Sequence, residues 1–327
     1  MFKNFKKTRF LKKDLGILDE YIRYIVRDLD DLLGKVFAGT LLAGGKRIRP
    51  ALFLICARNN RYNIDYLLPA AAGIEMLHTA SLIHDDIIDN SFLRRGTKTI
   101  HNVYDKDTAR YAGDYLFTYA FYLLNSYSNY QIYKEMSYTS QSLVIGEFDQ
   151  LKTKSLLRQS EKMYLEKINE KTSSLFKLSC VLGGILSGSK EKDIENMRKF
   201  GSFLGMAFQI NDDLIDININ RPADKIDKPV GNDIRQGNIT LPIIYALKDD
   251  KISPSIKNLL EKKDFSEDDA DRILKLINLS GVVELVRQKV FYYLNEAKKI
   301  AYEIKGHSRQ DGLVEVCDYL IGAIEKN

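Results

Sequence analysis

Residues 66–89 read YLLPAAAGIEMLHTASLIHDDIID, a long apolar segment that ends in three aspartates. Its apolar residues recur at intervals of three and four, at Leu67, Ala70, Ala71, Ile74, Leu77, Ala80 and Ile83. That spacing is typical of one face of an α-helix, whereas a half-buried strand alternates apolar and polar residues. The segment therefore predicts a long helix packed in a protein core.

The same helical pattern recurs along the rest of the chain. Similar stripes occur at 111–124, 165–186, 194–217 and 285–304, and Ser266-Glu267-Asp268-Asp269 matches a helix-start signature. The stripe at 111–124 is apolar on nearly all sides, which predicts a buried helix. No proline, which would break a helix interior, lies between Pro69 and Pro222. We therefore predict an all-α fold with one domain over residues 1–327.

Two segments lack the helical pattern and are predicted as loops. They cover residues 90–102, which contain Gly96, and residues 218–238, which contain Pro222, Pro229, Gly231 and Gly237. The second is unusually long for a passive connection, which is typical of a lid that closes over a ligand.

Composition excludes several classes of protein. The 327 residues carry a net charge of +5, too small an excess to indicate a nucleic-acid partner. The three cysteines are far apart and the histidines form no HExxH motif, so neither a disulfide framework nor a cysteine-based zinc site is predicted. The basic N-terminus lacks the apolar stretch of a signal peptide, and no run approaches the roughly 20 apolar residues of a membrane span. We therefore expect a cytoplasmic protein.

Two aspartate triplets stand out among five Asp-Asp pairs. Only two pairs have a third aspartate four residues after the first: Asp85-Asp86 with Asp89 (the first acid motif) and Asp212-Asp213 with Asp216 (the second acid motif). On a helix these carboxylates lie on neighbouring turns and repel one another unless a cation neutralises them. Mg²⁺ prefers such oxygen ligands and bridges them to phosphate. A solvated acidic face explains one such motif, but two on apolar helices favour metal sites.

Basic and polar residues accompany both motifs in the sequence. Side chains able to bind phosphate oxygens are Lys46, Arg49, His78, Arg94 and Arg95 in the half of the chain that holds the first motif, and Lys171, Thr172, Gln209 and Lys228 in the half that holds the second. Alone, each is more simply explained as a solvated or core side chain. They become candidates for phosphate binding only because the two acid motifs occur in the same chain.

Five stretches together resemble the trans-polyprenyl diphosphate synthase family: GGKRIRP at 44–50, LIHDDIIDNSFLRRG at 82–96, EKT at 170–172, FQINDDLID at 208–216 and DKPVGNDIRQGNITLP at 227–242. They follow the family's order over most of the chain. The resemblance implies one bundle of mostly antiparallel helices around a central cavity, the isoprenoid synthase fold. It also implies a homodimer, or a catalytic chain paired with a small regulatory subunit.

The resemblance further implies a role for each site residue. Magnesium ions, three per active site, are expected on Asp85 and Asp89 with Asp86 nearby, and on Asp212 with Asp213 and Asp216. The diphosphate of an allylic substrate is expected to contact Arg94, Lys171, Gln209 and Lys228, and Thr172 is expected among the substrate-binding residues. That of isopentenyl diphosphate is expected to contact Lys46, Arg49, His78 and Arg95. Many family members have a second lysine where this chain has Asn238, so the chain departs from the pattern there.

These expectations describe a prenyltransferase that ionises an allylic carbon–oxygen bond. Magnesium and basic residues stabilise the leaving diphosphate, and an apolar cavity shelters the carbocation that isopentenyl diphosphate attacks. Three alternatives stay open. A terpene cyclase would leave one set of basic residues without a ligand, a non-catalytic subunit would be expected to lack acid-motif residues, and a magnesium-dependent hydrolase would release phosphate.

Ala80 and Ser81 predict the length of the product. They stand about one turn before the first acid motif, where short-chain members of the family commonly carry an aromatic side chain that blocks the growing tail. Two small residues leave that path open, which predicts a hexaprenyl to octaprenyl product, of the kind used for quinone side chains, made from a farnesyl or geranylgeranyl primer. The alternatives are a short-chain product, or small residues that only allow close helix packing. Contact with a membrane is expected to help release so apolar a product.

Overall fold

The computed structural model describes residues 8–42, 45–94, 96–219 and 230–324. The chain divides into two compact units. Unit 1 comprises residues 1–140, 175–201 and 298–317, and unit 2 comprises residues 141–174, 202–297 and 318–327. The first acid motif belongs to unit 1 and the second to unit 2. The single domain and the central cavity stay predictions.

Helices make up most of the described residues, which confirms the predicted all-α class. They are α1 (Phe10–Arg27), α2 (Asp31–Ala38), α3 (Ile48–Ala57), α4 (Ile64–Ile88), α5 (Ile100–Val103), α6 (Lys106–Leu124), α7 (Tyr130–Thr153), α8 (Glu161–Ile168), α9 (Ser174–Leu186), α10 (Glu191–Asp216), α11 (Asn232–Arg235), α12 (Leu241–Ala246), α13 (Ser253–Leu260), α14 (Glu267–Leu279), α15 (Val282–Glu303) and α16 (His307–Ile324). A π-helical turn, Asn169–Ser173, separates α8 from α9, and strands β1 (Leu93–Arg94) and β2 (Thr97–Lys98) form one small antiparallel hairpin.

Short polar residues begin several helices by capping their free N–H groups. The Asp30 side chain accepts hydrogen bonds from two backbone N–H groups at the start of α2, and Asp105 accepts one at the start of α6. At α14, Ser266 and Asp269 form the reciprocal capping box that the sequence signature predicts. Such caps fix where these helices begin along the chain.

In unit 1, glycines let helices α4 and α6 approach each other closely. A Cβ atom added to Gly73 of α4 would lie 3.2 Å from the carbonyl oxygen of Ala120, and one added to Gly113 of α6 would overlap the His84 ring. Ala80 is fully buried and lies seven residues after Gly73, on the same face of α4. This packing fixes the end of α4, which carries the first acid motif.

Helix α4 is also, among the described residues, the one helix long and apolar enough to cross a membrane by length and composition. The prediction that no segment is long and apolar enough for a membrane span is therefore wrong. Of its most apolar window, 72% is buried inside the protein, which is the environment predicted for the core helix from residues 66–89.

Three local predictions differ from the structure. The segment 90–102 contains the β-hairpin and α5, because Gly96, with φ of 76°, permits a tight turn between strands too short to show alternation. The helix predicted over 165–186 is interrupted by the π-helical turn. Helix α6 is not buried on all sides, since Tyr111 and Tyr122 are 63% and 67% exposed.

The long segment 218–238 is only partly covered by the structure. Residues 232–235, predicted as loop, form helix α11, while residues 220–229 lie outside the described part of the chain. Closure of this segment over a ligand therefore stays a prediction.

Candidate active site

The first acid motif lies where helix α4 of unit 1 ends. Asp85 and Asp86 occupy the last turn, and Asp89 caps the helix with its N–H bonded to the Asp85 carbonyl oxygen at 2.8 Å. Asn90 follows with a left-handed φ of 49°, which ends the helix. Asp86 is buried, whereas Asp85 and Asp89 are partly exposed. The motif thus presents its first and last carboxylates to a ligand.

Arg94 of β1 holds the middle carboxylate of this motif. Its Nε lies 2.8 Å from both carboxylate oxygens of Asp86, and its Nη2 lies 2.6 Å from Oδ1. Burial by itself lowers the pKa of Arg94, but the hydrogen bonds and the charge of Asp86, together with the charges of Asp85 and Asp89, raise it. Arg94 is therefore a permanent cation near the two partly exposed carboxylates, Asp85 and Asp89.

The hairpin positions Arg94 for this contact. Arg94 pairs with Thr97 across the two strands, and the left-handed Gly96 closes the turn between them. Arg95 lies outside the described residues, so its expected contact with isopentenyl diphosphate stays a prediction.

Arg49 and His78, both expected at the isopentenyl diphosphate, meet in unit 1. Arg49 Nη1 lies 2.9 Å from His78 Nε2, and the guanidinium group lies over the Phe176 ring at 4.7 Å from its centroid. Lys46, three residues before Arg49, is exposed. Two of the four predicted residues are therefore brought together by α3 and α4.

Arg47 shapes this basic segment, and the sequence reasoning missed it. It is buried with a left-handed φ of 45° and contacts Glu75 Oε1 at 2.5 Å and Asp19 Oδ1 at 3.1 Å. These ion pairs fix the backbone between Lys46 and α3. A glutamate within an otherwise apolar helix was the available signal, because a buried charge requires a partner.

The second acid motif lies at the end of helix α10 in unit 2, and its middle carboxylate is also held by the protein. Asp213 is buried; its Oδ1 accepts a hydrogen bond from Gln209 Nε2 at 2.8 Å, and its Oδ2 accepts one from the Tyr164 hydroxyl at 2.6 Å. Burial raises the pKa of Asp213 well above its usual value, and the nearby carboxylate of Asp233 raises it further. Both carboxylate oxygens of Asp213 are therefore occupied by donors from the protein.

The last aspartate of the second motif holds the chain that follows. Asp216 accepts hydrogen bonds from the N–H groups of Asn232 and Asp233 at 3.1 Å each, at the start of α11. Asp212 is the most exposed residue of the motif. Asp85, Asp89 and Asp212, the three residues predicted to hold magnesium, are thus all at least partly exposed.

Gln209, predicted at the allylic diphosphate, and Thr172, predicted to bind substrate, contact each other. Thr172 Oγ1 donates to Gln209 Oε1 at 2.7 Å, while the amide nitrogen of Gln209 donates to Asp213. Asn238, which stands where many relatives have lysine, instead bonds through its N–H to the Asp233 carbonyl oxygen at 2.8 Å. Lys228 lies outside the described residues.

Lys171 sits on the π-helical turn, and helix α7 holds it in place. Its ammonium group lies 2.5 Å from Glu147 Oε1 and 3.1 Å from Gln150 Oε1. A Cβ added to Gly146 would lie 2.7 Å from the Lys171 backbone nitrogen, and one on Gly205 of α10 would lie 2.6 Å from Ser173 Cα. Glycine at these two positions lets α7 and α10 pack closely against the π-helical turn.

The carboxylate oxygens of the two acid motifs are ligands of the kind that magnesium prefers. Among the described residues, no three His, Cys, Asp or Glu side chains gather closely enough to hold a metal ion by themselves. Carboxylate oxygens are the protein ligands that Mg²⁺ accepts, and it normally takes its other ligands from water and phosphate. Exposed carboxylates that rely on a diphosphate to complete the coordination fit this behaviour.

The two residues predicted to set product length differ in their surroundings. Ala80 is fully buried on the α4 face that packs against α6, which is the close-packing role left open from the sequence. Ser81 is partly exposed, and its hydroxyl donates to the His78 carbonyl oxygen at 2.8 Å. Ser81 is therefore the better candidate for a side chain that a growing tail passes.

Known proteins share these motifs and this fold. A family model described as polyprenyl synthetase matches residues 30–277. The heptaprenyl diphosphate synthase component 2 of Bacillus subtilis (strain 168) is 33% identical over 314 residues, covering 95% of this chain and 88% of that protein. The short chain isoprenyl diphosphate synthase of Methanocaldococcus jannaschii is 32% identical over 286 residues, covering 86% of each. The crystal structure of polyprenyl synthase from Caulobacter crescentus CB15, complexed with calcium and isoprenyl diphosphate, has a TM-score of 0.89 and 27% identity, covering 96% of each chain.

Proposed function

Because the chain belongs to the polyprenyl synthetase family, we propose that it condenses isopentenyl diphosphate with an allylic diphosphate into a long all-trans polyprenyl diphosphate. One observation carries this proposal. In each acid motif the middle carboxylate is buried on protein partners, and at least one other carboxylate is partly or fully exposed. Carboxylates at least partly open to solvent, beside Arg94 in one unit and next to the hydrogen-bonded Asp213 in the other, suit cations that carry a diphosphate.

The first step is ionisation of the allylic substrate. Bound magnesium supplies the charge that neutralises the leaving diphosphate, and we assign three ions to Asp85, Asp89 and Asp212. Arg94 and Lys171 donate hydrogen bonds to the diphosphate oxygens, with Thr172, Gln209 and Lys228 beside them. These hydrogen bonds strengthen as negative charge develops on the leaving diphosphate, which lowers the free-energy barrier to ionisation.

The second step joins the two substrates. Lys46, Arg49, His78 and Arg95 hold the diphosphate of isopentenyl diphosphate, so that its double bond faces the allylic carbon. The double bond itself is the nucleophile, and a proton then leaves to the released diphosphate. Such a site requires no nucleophilic side chain, and an apolar surrounding protects the carbocation from water.

The length of the product is the finer part of the proposal. The name of the Bacillus subtilis relative supports a heptaprenyl product, which lies within the hexaprenyl to octaprenyl range predicted from Ala80 and Ser81. The Methanocaldococcus jannaschii relative is a short-chain enzyme, so farnesyl or geranylgeranyl diphosphate is the second candidate product. A long product suits a quinone side chain and a cytoplasmic enzyme that contacts a membrane to release it.

Assembly is a further part of the proposal. The word "component 2" in the name of the Bacillus subtilis relative supports a catalytic chain that acts with a second, different subunit. The alternative is the homodimer expected from the resemblance. Activity of the purified chain alone separates the two: full activity supports the homodimer, whereas activity that appears only after a second subunit is added supports the two-component enzyme.

The decisive experiment is incubation of the purified chain with labelled isopentenyl diphosphate, farnesyl diphosphate and Mg²⁺, followed by sizing of the products. If no turnover occurs, the test is repeated with the regulatory subunit of a two-component relative. The proposal expects label in polyprenyl diphosphates of six to eight units. A cyclised hydrocarbon would indicate a terpene cyclase, and release of phosphate without a longer chain would indicate a hydrolase. Inactivity under both conditions would indicate a non-catalytic subunit.

A further inference from the structure

Tyr164 of helix α8 contacts the second acid motif, although nothing in its sequence surroundings marks it as a site residue. It is among the largest fully buried side chains of the chain, with 1% exposure. Its hydroxyl donates to Asp213 Oδ2 at 2.6 Å, and burial beside that carboxylate raises the pKa of Tyr164 well above its usual value. The phenol is therefore a hydrogen-bond donor to this carboxylate.

The bond from Tyr164 completes a chain of hydrogen bonds that fixes helix α10. Thr172 donates to Gln209, Gln209 donates to Asp213 Oδ1, and Tyr164 donates to Asp213 Oδ2. The amide of Gln209 has one orientation because its oxygen accepts from Thr172 while its nitrogen donates to Asp213. Both oxygens of Asp213 are thus held, one from α10 itself and one from α8.

Holding Asp213 determines where Asp212 points. Consecutive residues of a helix project about 100° apart, so a carboxylate pinned into the interior turns its neighbour outward. Asp213 is 3% exposed, whereas Asp212 is exposed. Rotation of this turn of α10 would move Asp212 away from the position where it can meet a cation and a diphosphate.

We propose that Tyr164 is a positioning residue for magnesium at the second acid motif: its hydroxyl anchors Asp213 and thereby orients Asp212. This inference rests on the proposed function. Partners that orient a metal ligand typically contribute about 10- to 100-fold in metal affinity or activity. Tyr164 acts through Asp213 and touches neither substrate nor metal.

The test is Tyr164→Phe, with Tyr62→Phe as a matched control. Tyr62 makes the same kind of bond, from its hydroxyl to Asp14 Oδ2 at 2.7 Å, but its partner Asp14 belongs to helix α1 and to neither acid motif. Binding of Mg²⁺ in the presence of inorganic diphosphate is measured by calorimetry. We expect about 10-fold weaker Mg²⁺ binding and about 10-fold lower kcat for Tyr164→Phe, and wild-type values of both for Tyr62→Phe.

Unchanged Mg²⁺ binding in a folded Tyr164→Phe would overturn the proposal, as would an equal loss in Tyr62→Phe. If Tyr164→Phe does not fold, Asp213→Asn is compared with Asp212→Asn. The amide that Asp213→Asn introduces can donate to the Tyr164 hydroxyl and accept from Gln209, so the proposal expects Mg²⁺ binding to weaken less than in Asp212→Asn. Equal weakening in both would overturn it. Failure of the proposed function differs from these outcomes, because wild type would then make no prenyl product.

Discussion

Gly146→Ala is expected to impair catalysis by moving Lys171 rather than by removing any polar group. An alanine Cβ at this position would lie 2.7 Å from the Lys171 backbone nitrogen and 2.8 Å from its Cα. Ordinary Cβ contacts begin at 3.4 Å, so α7 and the π-helical turn must separate by several tenths of an ångström. Neither atom belongs to a flexible side chain, so the backbone itself must shift.

Two opposing contributions determine how Gly146→Ala changes the free energy of unfolding. Alanine in place of glycine within a helix stabilises it by up to about 1 kcal/mol. Overpacking a close contact costs about 1–3 kcal/mol, so we expect a net loss of at most ~3 kcal/mol in the free energy of unfolding. The effect on activity is larger, because a misplacement approaching 1 Å can cost about 100-fold in rate. The same shift lengthens the 2.5 Å contact between Lys171 and Glu147.

The assay compares kcat and the unfolding midpoint of Gly146→Ala with those of Gly16→Ala. Gly16 is exposed within helix α1, and a Cβ added there meets nothing within 4 Å. We expect Gly16→Ala to retain wild-type kcat with an equal or higher unfolding midpoint. If Gly146→Ala keeps the kcat of Gly16→Ala, close packing of α7 on the π-helical turn does not position Lys171, and this reasoning is refuted.

Two further predictions address unit 1. Arg94→Lys retains the charge but loses the forked contact with Asp86, so we expect about 1–3 kcal/mol lower free energy of unfolding and reduced kcat, both measured against wild type; an unchanged unfolding curve would contradict this. Ser81→Phe is expected to shorten the product at an unchanged unfolding midpoint, whereas Ala80→Phe should lower the midpoint, because Ala80 is fully buried and faces α6. Product sizing and thermal unfolding of both variants test this, and an unchanged product length in Ser81→Phe would contradict the predicted tail path.

The helical class could be predicted from the sequence because apolar spacing reports it directly. The stripe that ends at Ile83 and the capping signature at Ser266 both correspond to observed helices. The π-helical turn could not be predicted, since one extra residue per turn hardly alters a stripe that continues on both sides. Its location depends on Gly146 and Gly205, which belong to other helices.

The sequence predicts which residues form the site. It does not predict which of their side chains face a ligand and which are buried on other protein groups. Spacing alone marks all three aspartates of each motif as candidates for magnesium. The burial of Asp86 on Arg94 and of Asp213 on Tyr164 depends on contacts between residues that are eight or more positions apart. Tyr164 was missed for the same reason, because a tyrosine within a helical stripe is indistinguishable from a core residue until its hydroxyl has a partner.

The most direct test of the central claim is the rate at which labelled isopentenyl diphosphate enters prenyl products in Asp212→Asn, compared with Asp268→Asn. Both replace an exposed aspartate that belongs to an Asp-Asp pair, but Asp268 has no third aspartate four residues later. Loss of charge stabilisation at the leaving diphosphate predicts at least ~100-fold slower incorporation in Asp212→Asn, with the wild-type rate in Asp268→Asn. Equal rates in the two variants would contradict the assignment of the second acid motif to the reaction.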